Sequence, residues 1–198
     1  ALIAATHALG SDRANVTAVA LTGQMQDVIL LDPNGDPVRP VILYSDTRAH
    51  AEAAEITERI GADRLRKLVG YPQGADGLLA KALWLQRSEP QSLQRARHFL
   101  FGAADYVGFR LTGSLATDTT TAATTGLMHL RNKHWLDKRL LHEIGIESVI
   151  PLLPLLVIGG AMIGKLSPAA ADALGLKSGL SVYHAPGDAG ATSLGAGS

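Results

Sequence analysis

Apolar and polar positions alternate along the chain in two rhythms, and these separate strands from helices. Residues 15–23 (NVTAVALTG) are rich in β-branched side chains and stop at glycine, which predicts a buried strand. Residues 27–44 (DVILLDPNGDPVRPVILY) predict two strands folded about a turn built from Pro33, Asn34, Gly35 and Asp36. In residues 45–61 the rhythm becomes helical. Ala49, Ala53, Ile56 and Ile60 share a face before Gly61, with Ser45 or Asp46 as the expected cap. Residues 75–90 repeat the pattern through Leu78, Ala82 and Leu85 up to Pro90, and residues 102–113 predict a short helix closed by Gly113. Residues 117–126 (TDTTTAATTG) are polar and aperiodic and read as an ordered loop. Helices follow at 137–145 and at 167–175, the second capped by Ser167 with Pro168 in its first turn. Residues 179–188 return to strand and residues 189–197 open a last helix. The first ten residues resemble the tail of a helix.

Strands and helices alternate, with extra helices inserted, which predicts an α/β fold. The most apolar stretch, residues 149–164, is interrupted by Pro151, Pro154 and a glycine pair and is shorter than a spanning helix of about 20 residues. It is expected to form core strands and turns.

The 198 residues suffice for one sizeable domain, and 46% of them are hydrophobic. Only 18% are charged and the formal net charge is zero, which disfavours nucleic acid as a partner because that binding needs many Lys and Arg contacts to phosphate. The chain has no cysteine, which removes disulfides and thiolate chemistry and fits a reducing compartment. The seven histidines are scattered, and HEIGI lacks the second His of a zinc helix. Trp84 and Trp135 read as core residues.

The candidate chemistry concentrates in residues 184–198 (HAPGDAGATSLGAGS). Gly190 and Gly195 have the spacing of a phosphate loop, but Ala196 stands where that loop needs Lys. Ser193 in ATSLG approximates a nucleophile elbow, with Ala191 in place of the first glycine, and a serine hydrolase is the weakest of the readings. Asp188 follows a strand and a Pro-Gly turn and precedes a helix start. Carboxylates so placed face the ligand crevice of open α/β sheets, and an ordinary capping role is the alternative.

Residues 20–49 (from the ALTGQMQDV stretch to SDTRA) resemble a signature of the FGGY carbohydrate kinases, most nearly their xylulokinase-like branch. In that pattern a strand ending in G-Q-M-H-G is followed by a hairpin and W-N-D-x-R. AKALWLQRSEPQSL resembles the K-x-x-W-L helix. FLFGAADYVGFRLTGSLATDTTTAATT resembles the D-Y-L, L-T-G and T-D run, and IGKLSPAAADALGLKSGLSVYHAPGD resembles the closing segment that ends in G-G-D. The blocks occur in order over nearly the whole chain.

The resemblance implies the actin-like, ribonuclease-H-like ATPase fold and transfer of the ATP γ-phosphoryl group to a sugar or polyol hydroxyl, with Mg²⁺. It implies Asp188 as the base and as a carboxylate near the Mg-ATP assembly. Gln24, Met25 and Gln26 match the substrate loop, and Asp46 and Arg48 match the D-x-R element beside the sugar. Helix capping for Asp46, a solvated helix-face charge for Arg48 and simple packing for Met25 are the alternatives. The chain departs from the pattern at Gln26 (for His), Asp27 (for Gly), Tyr44-Ser45 (for Trp-Asn), Pro186 (for Gly) and Ala189 (for Asn), all in or beside the substrate pocket. The sugar is therefore left open among pentuloses, aldonates and tetritols. A carbohydrate-binding or regulatory module without transfer is the rival function.

Family members also carry a leading D-x-G-T phosphate loop and a second domain with the adenine site, neither of which is in this sequence. Residues 1–198 are thus expected to be a truncated first domain of a cytoplasmic kinase, poorly active alone and marginally stable or self-associating. Sugar and ATP are the expected ligands, no membrane or nucleic acid is expected, and a homodimer is the assembly to test.

Overall fold

The computed structural model describes residues 2–197, so Ala1 and Ser198, the two ends of the expected domain, lie outside the described residues. It is a mixed α/β structure. Helix α1 (Leu2–Ala8) and a 3-10 turn (Gly10–Asn15) lead into β1 (Ala18–Leu21) and β2 (Met25–Leu31). Helices α2 (His50–Ile60), α3 (Ala62–Val69), α4 (Leu78–Ser88) and α5 (Pro90–Arg95) follow. Then come β3 (His98–Gly102), α6 (Ala103–Thr112), β4 (Ala116–Asp118) and α7 (Thr119–Ala123). A small hairpin, β5 (Met128–His129) and β6 (His134–Trp135), precedes α8 (Lys138–Ile144) and a second 3-10 turn (Glu147–Leu152). The chain closes with β7 (Leu155–Val157), β8 (Ala161–Lys165), α9 (Pro168–Leu174), β9 (Ser181–His184) and α10 (Asp188–Gly195). None of these helices is long and apolar enough to cross a membrane.

The strand that carries the closing segment sits in the middle of a three-stranded sheet. β9 runs parallel to β1, pairing Leu21 with His184, and antiparallel to β8. β2 pairs antiparallel with β3, and β4 pairs parallel with β7. Helix α6 buries Ala104 and Leu111 against Leu21 and Val182 of the first sheet, and α9 adds Ala171 and Leu174 to that core. A larger core fills the space among β2, β3, α2, α4 and α8, centred on Leu30, Ile56, Leu79, Phe99 and Leu141. The expected apolar face of α2 is buried at Ala49, Ala53, Ile56 and Ile60, and Trp84 and Trp135 pack partly buried against the same core. Ser167 caps α9 by accepting from the Ala170 N–H, and α6 ends on Gly113 in the left-handed conformation (φ 76°).

Several expectations change. Residues 37–44 are not a strand. They join one edge of β2 through the bridges Val28–Ile42 and Leu31–Pro37, because Pro37 and Pro40 have no N–H to extend a ladder, and the regular ladder of β2 is the one with β3 on its other edge. Residues 117–126 are not a loop. They supply the end of β4 and helix α7, whose N-cap is Asp118, accepting from the N–H groups of Thr120 and Thr121. Neither Ser45 nor Asp46 caps α2, which starts at His50 with no side-chain cap. The apolar stretch 149–164 is only partly core, since Leu155, Ile158 and Met162 are exposed.

Candidate active site

Asp188 stands where β9 gives way to α10. The turn before it is fastened to the end of β1. Ala185 N–H donates to Leu21 O at 2.9 Å, the Thr22 hydroxyl to Pro186 O at 2.8 Å, and Asp188 N–H to Gly23 O at 3.0 Å. Gly187 holds the cap position, so Asp188 is a first-turn residue and not the capping one. Its carboxylate is exposed at the positive end of a helix and, among the described residues, accepts the N–H of Ala189 at 2.8 Å through one oxygen.

The loop leaving β1 lies against this turn. A Cβ placed on Gly187 would come within 2.5 Å of the Met25 sulfur, so the thioether seats directly on the glycine before Asp188. Gln24 turns inward and donates its amide N–H to both oxygens of Asp27, at 2.7 and 2.9 Å. Asp27 is buried and also accepts the Tyr44 N–H at 3.1 Å. Burial pushes its carboxyl above the usual range and the Asp188 charge pushes the same way, while the bonds from Gln24 and Tyr44 and the Lys81 charge hold it back. Gln26 occupies the left-handed region (φ 67°) and donates to Thr124 O at 3.1 Å, a carbonyl that also takes the Tyr71 hydroxyl. Gln26, Tyr71 and Thr124 line a groove of about 310 Å³ floored by Val69 and Leu130. Tyr71 is pushed up to about 12 by burial.

Asp46 and Arg48 form a closed pair outside any helix. The Arg48 Nε and Nη2 groups donate to the two Asp46 oxygens at 2.9 and 2.7 Å, and the Arg48 backbone N–H adds a third bond. Arg48 holds Asp46 down at about 2. The guanidinium lies 4.9 Å over the Trp84 ring, so Arg48 is neither a helix-face charge nor freely solvated. Beneath this segment Lys81 is fully buried and donates to Leu43 O at 2.8 Å and to Tyr44 O at 3.3 Å. Burial pulls its pKa down against the attraction of Asp46, Asp76 and Asp27. Asp27 and Lys81 thus grip the two faces of Tyr44, one at its N–H and one at its C=O.

A second ionic cluster lies under the Asp188 turn. The His184 Nε2 is 2.7 Å from Asp105 Oδ1, and its Nδ1 is 2.9 Å from Ala185 O and 3.3 Å from Asp118 Oδ2. All three side chains are 0% exposed. Asp105 also accepts the Phe101 N–H, and Asp118 takes the Thr121 hydroxyl at 2.6 Å besides capping α7. Burial opposes a charge on His184, but the Asp105 carboxylate, the Ala185 carbonyl and Asp118 outweigh it and hold the imidazole above its ordinary value. Both ring nitrogens are engaged, so His184 is not placed to serve Ser193 as a base, and the hydrolase reading loses its nearest candidate histidine.

Met25 is therefore brought against the Asp188 turn, with Gln24 bonded to Asp27 and Gln26 turned to Thr124, and the Asp46–Arg48 pair is linked to Asp27 through Tyr44 and Lys81. Lys81 had a visible signal, a lone charge inside the apolar run LLAKALWL. Asp27 was visible only as a departure from the family pattern. Asp105 and Asp118 fall in the D-Y-L and T-D blocks, but their joining with His184 had no local signal, since the His184–Asp105 contact spans 79 residues of chain.

The model of the FGGY family of carbohydrate kinases, N-terminal domain, matches residues 1–195. A xylulose kinase from Staphylococcus xylosus is 28% identical over 183 residues, 92% of this chain and 37% of that protein. An L-fuculokinase from Escherichia coli (strain K12) is 32% identical over 183 residues, 92% of this chain and 38% of that protein. The crystal structure of a xylulose kinase from Rhodospirillum rubrum superimposes with a TM-score of 0.87 at 26% identity, covering 99% of this chain and 41% of that one. The chain thus spans under two fifths of the length of these two curated relatives. The expected actin-like ATPase fold stands, and the chain belongs to the FGGY family of carbohydrate kinases.

Proposed function

We infer that the chain supplies the sugar side and the base of an ATP-dependent kinase acting on a hydroxyl of a sugar or polyol. The observation that carries this reading is Asp188, an exposed carboxylate fixed at a strand-to-helix turn whose Gly187 packs against the Met25 thioether. In the reaction the Asp188 carboxylate takes the proton of the substrate hydroxyl. The oxygen forms its bond to the γ-phosphorus of ATP as the bond from that phosphorus to the β–γ bridging oxygen breaks, and ADP leaves. Because Asp188 is exposed, the proton passes on to solvent. Positioning and charge neutralisation do most of the work in such a transfer, so a single well-placed carboxylate suffices as base.

Among the described residues no group of three or more His, Cys, Asp or Glu side chains is built to hold a metal ion. One exposed carboxylate does fit Mg²⁺, which keeps several waters and binds through one or two carboxylates plus substrate phosphates. Asp188 would be that ligand, direct or through water, and the ion would neutralise charge on the phosphates. On the sugar side, the open face of the Asp46–Arg48 pair, Met25 and the Gln26 amide supply donors, acceptors and an apolar wall. Gln24 acts from behind, holding Asp27 in place.

ADP release by the full-length protein, with Mg-ATP and a panel of pentuloses, hexuloses, polyols and aldonates, tests this. Sugar-dependent release that falls at least 1000-fold in Asp188→Asn is expected. A folded protein that binds a sugar but releases no ADP would replace the reading with that of a binding module, a rival favoured by the departures at Gln26 and Ala189.

A further inference from the structure

The buried cluster beneath the Asp188 turn has no part in the transfer described above. Its geometry constrains its protons. The Nδ1 of His184 faces the Ala185 carbonyl, which can only accept, so Nδ1 carries hydrogen. The Nε2 faces the Asp105 carboxylate at 2.7 Å, and the other Asp105 oxygen already accepts the Phe101 N–H. One more proton therefore sits between His184 and Asp105. The charged groups facing the ring are Asp105 from α6 and Asp118 from β4, both with 0% side-chain exposure.

The cluster touches the turn at two points. His184 holds the carbonyl of Ala185, three residues before Asp188. Asp118 fixes α7, and α7 forms the seat of the turn: a Cβ on Gly187 would lie 3.3 Å from the Thr121 hydroxyl, and one on Gly190 would lie 3.6 Å from the Thr120 methyl. The bonds from Leu21, Thr22 and Gly23 hold the turn from the β1 side. The cluster holds it from the interior.

We propose that His184 is a positioning residue for Asp188, a buried cation bridging Asp105 and Asp118 that fixes the turn on which the carboxylate is carried. This rests on the kinase reading for its kinetic consequence and on the geometry alone for the clamp. With the proton in place, three elements (α6, the β4–α7 junction and β9) are tied under the turn. Once it is lost, the Nε2 lone pair opposes the Asp105 carboxylate and the turn loosens.

The test uses the full-length protein and three variants, His184→Gln, Asp105→Asn and the double variant, in which the closest charge pair becomes a neutral amide pair. His184→Gln is expected to lower kcat at least 10-fold per folded molecule, with the KM for sugar and ATP changed less than 3-fold, and to abolish the alkaline limb of the kcat–pH profile. A purely structural role would lower the folded fraction and leave kcat and its alkaline limb in place, and that result overturns the proposal. The double variant covers the case in which His184→Gln does not fold, and the same kinetic criteria apply to it. Nitrogen-15 spectra of the wild-type imidazole across a pH titration should show the second ring proton lost only above the ordinary histidine value of about 6.5, whereas its loss at or below that value would overturn the clamp. If the wild-type protein releases no ADP with any sugar, the kinase reading fails by itself. Amide exchange over residues 185–191 then decides, with protection lost in the variants expected and unchanged protection fatal to the proposal.

Discussion

Lys81 is the side chain on which the sugar-side segment depends most directly. It lies fully buried in the apolar first part of α4 and spends its donors on the carbonyls of Leu43 and Tyr44. Lysine tolerates such burial only when its charge is answered, and Asp27, Asp46 and Asp76 answer it here. Lys81→Met keeps the length of the side chain and removes the charge. Two carbonyls lose their donor and the buried Asp27 loses its cation. Such losses cost on the order of 3 kcal/mol. Urea unfolding should show that drop, and a loss under about 1 kcal/mol would mean that the carbonyls find water and that the segment is not held from below.

Among the elements, the pairing of β2 with β3 sets the site loop at its height. β3 ends at Gly102 against the first residue of β2, Met25, and Ala103 N–H donates to Gln24 O at 2.9 Å. A Cβ on Gly102 would stand 2.7 Å from that carbonyl oxygen and 3.4 Å from the Met25 Cα. Both are backbone atoms and cannot swing aside. Gly102→Ala should therefore shift the loop, costing about 1–3 kcal/mol by overpacking and raising the sugar KM several-fold. A crystal structure of the variant with residues 24–27 unmoved would refute this. The same pairing marks the limit of what the sequence discloses. The faces of α2 and α4 and the Ser167 cap were legible because helix periodicity and capping are local. The partner of β2 was not, since β3 lies some 70 residues on and the nearer apolar run, 37–44, has the composition of a strand but carries two prolines. Asp118 was likewise read as part of a loop, because a polar Thr-Ala run shows no stripe when the helix it forms is five residues long.

For the whole molecule, the site was more legible than its support. Asp188, Met25, Gln26, Asp46 and Arg48 stood out through a family pattern, whereas the cluster under them joins residues from α6, β4 and β9 that only the fold brings together. That cluster makes folding stability depend on pH. An unfolded histidine titrates near ~6.5, and His184 in the folded protein titrates above that value. Burial raises Asp105 as well, so the pair keeps a proton in the folded state that the unfolded chain sheds. Its contribution is complete below about pH 6.5 and is lost as pH rises through the folded value, with a slope of up to about 1.4 kcal/mol per pH unit. Formal net charge is zero at pH 7, so general self-repulsion adds little near neutrality. His98, pulled down by burial, acts with the opposite sign and below pH 6.5, outside this window. Lys81, pulled down from the usual lysine range, would add stability as pH rises and is common to both proteins in the comparison. The difference between wild type and His184→Gln isolates the cluster. Calorimetry at half-unit steps from pH 6 to 9 should show the wild-type Tm falling more steeply than that of the variant, the two curves converging at the alkaline end. Parallel curves would mean that no proton is held between His184 and Asp105, and the turn that carries Asp188 would then be fixed by its bonds to β1 and its packing on Met25 and α7.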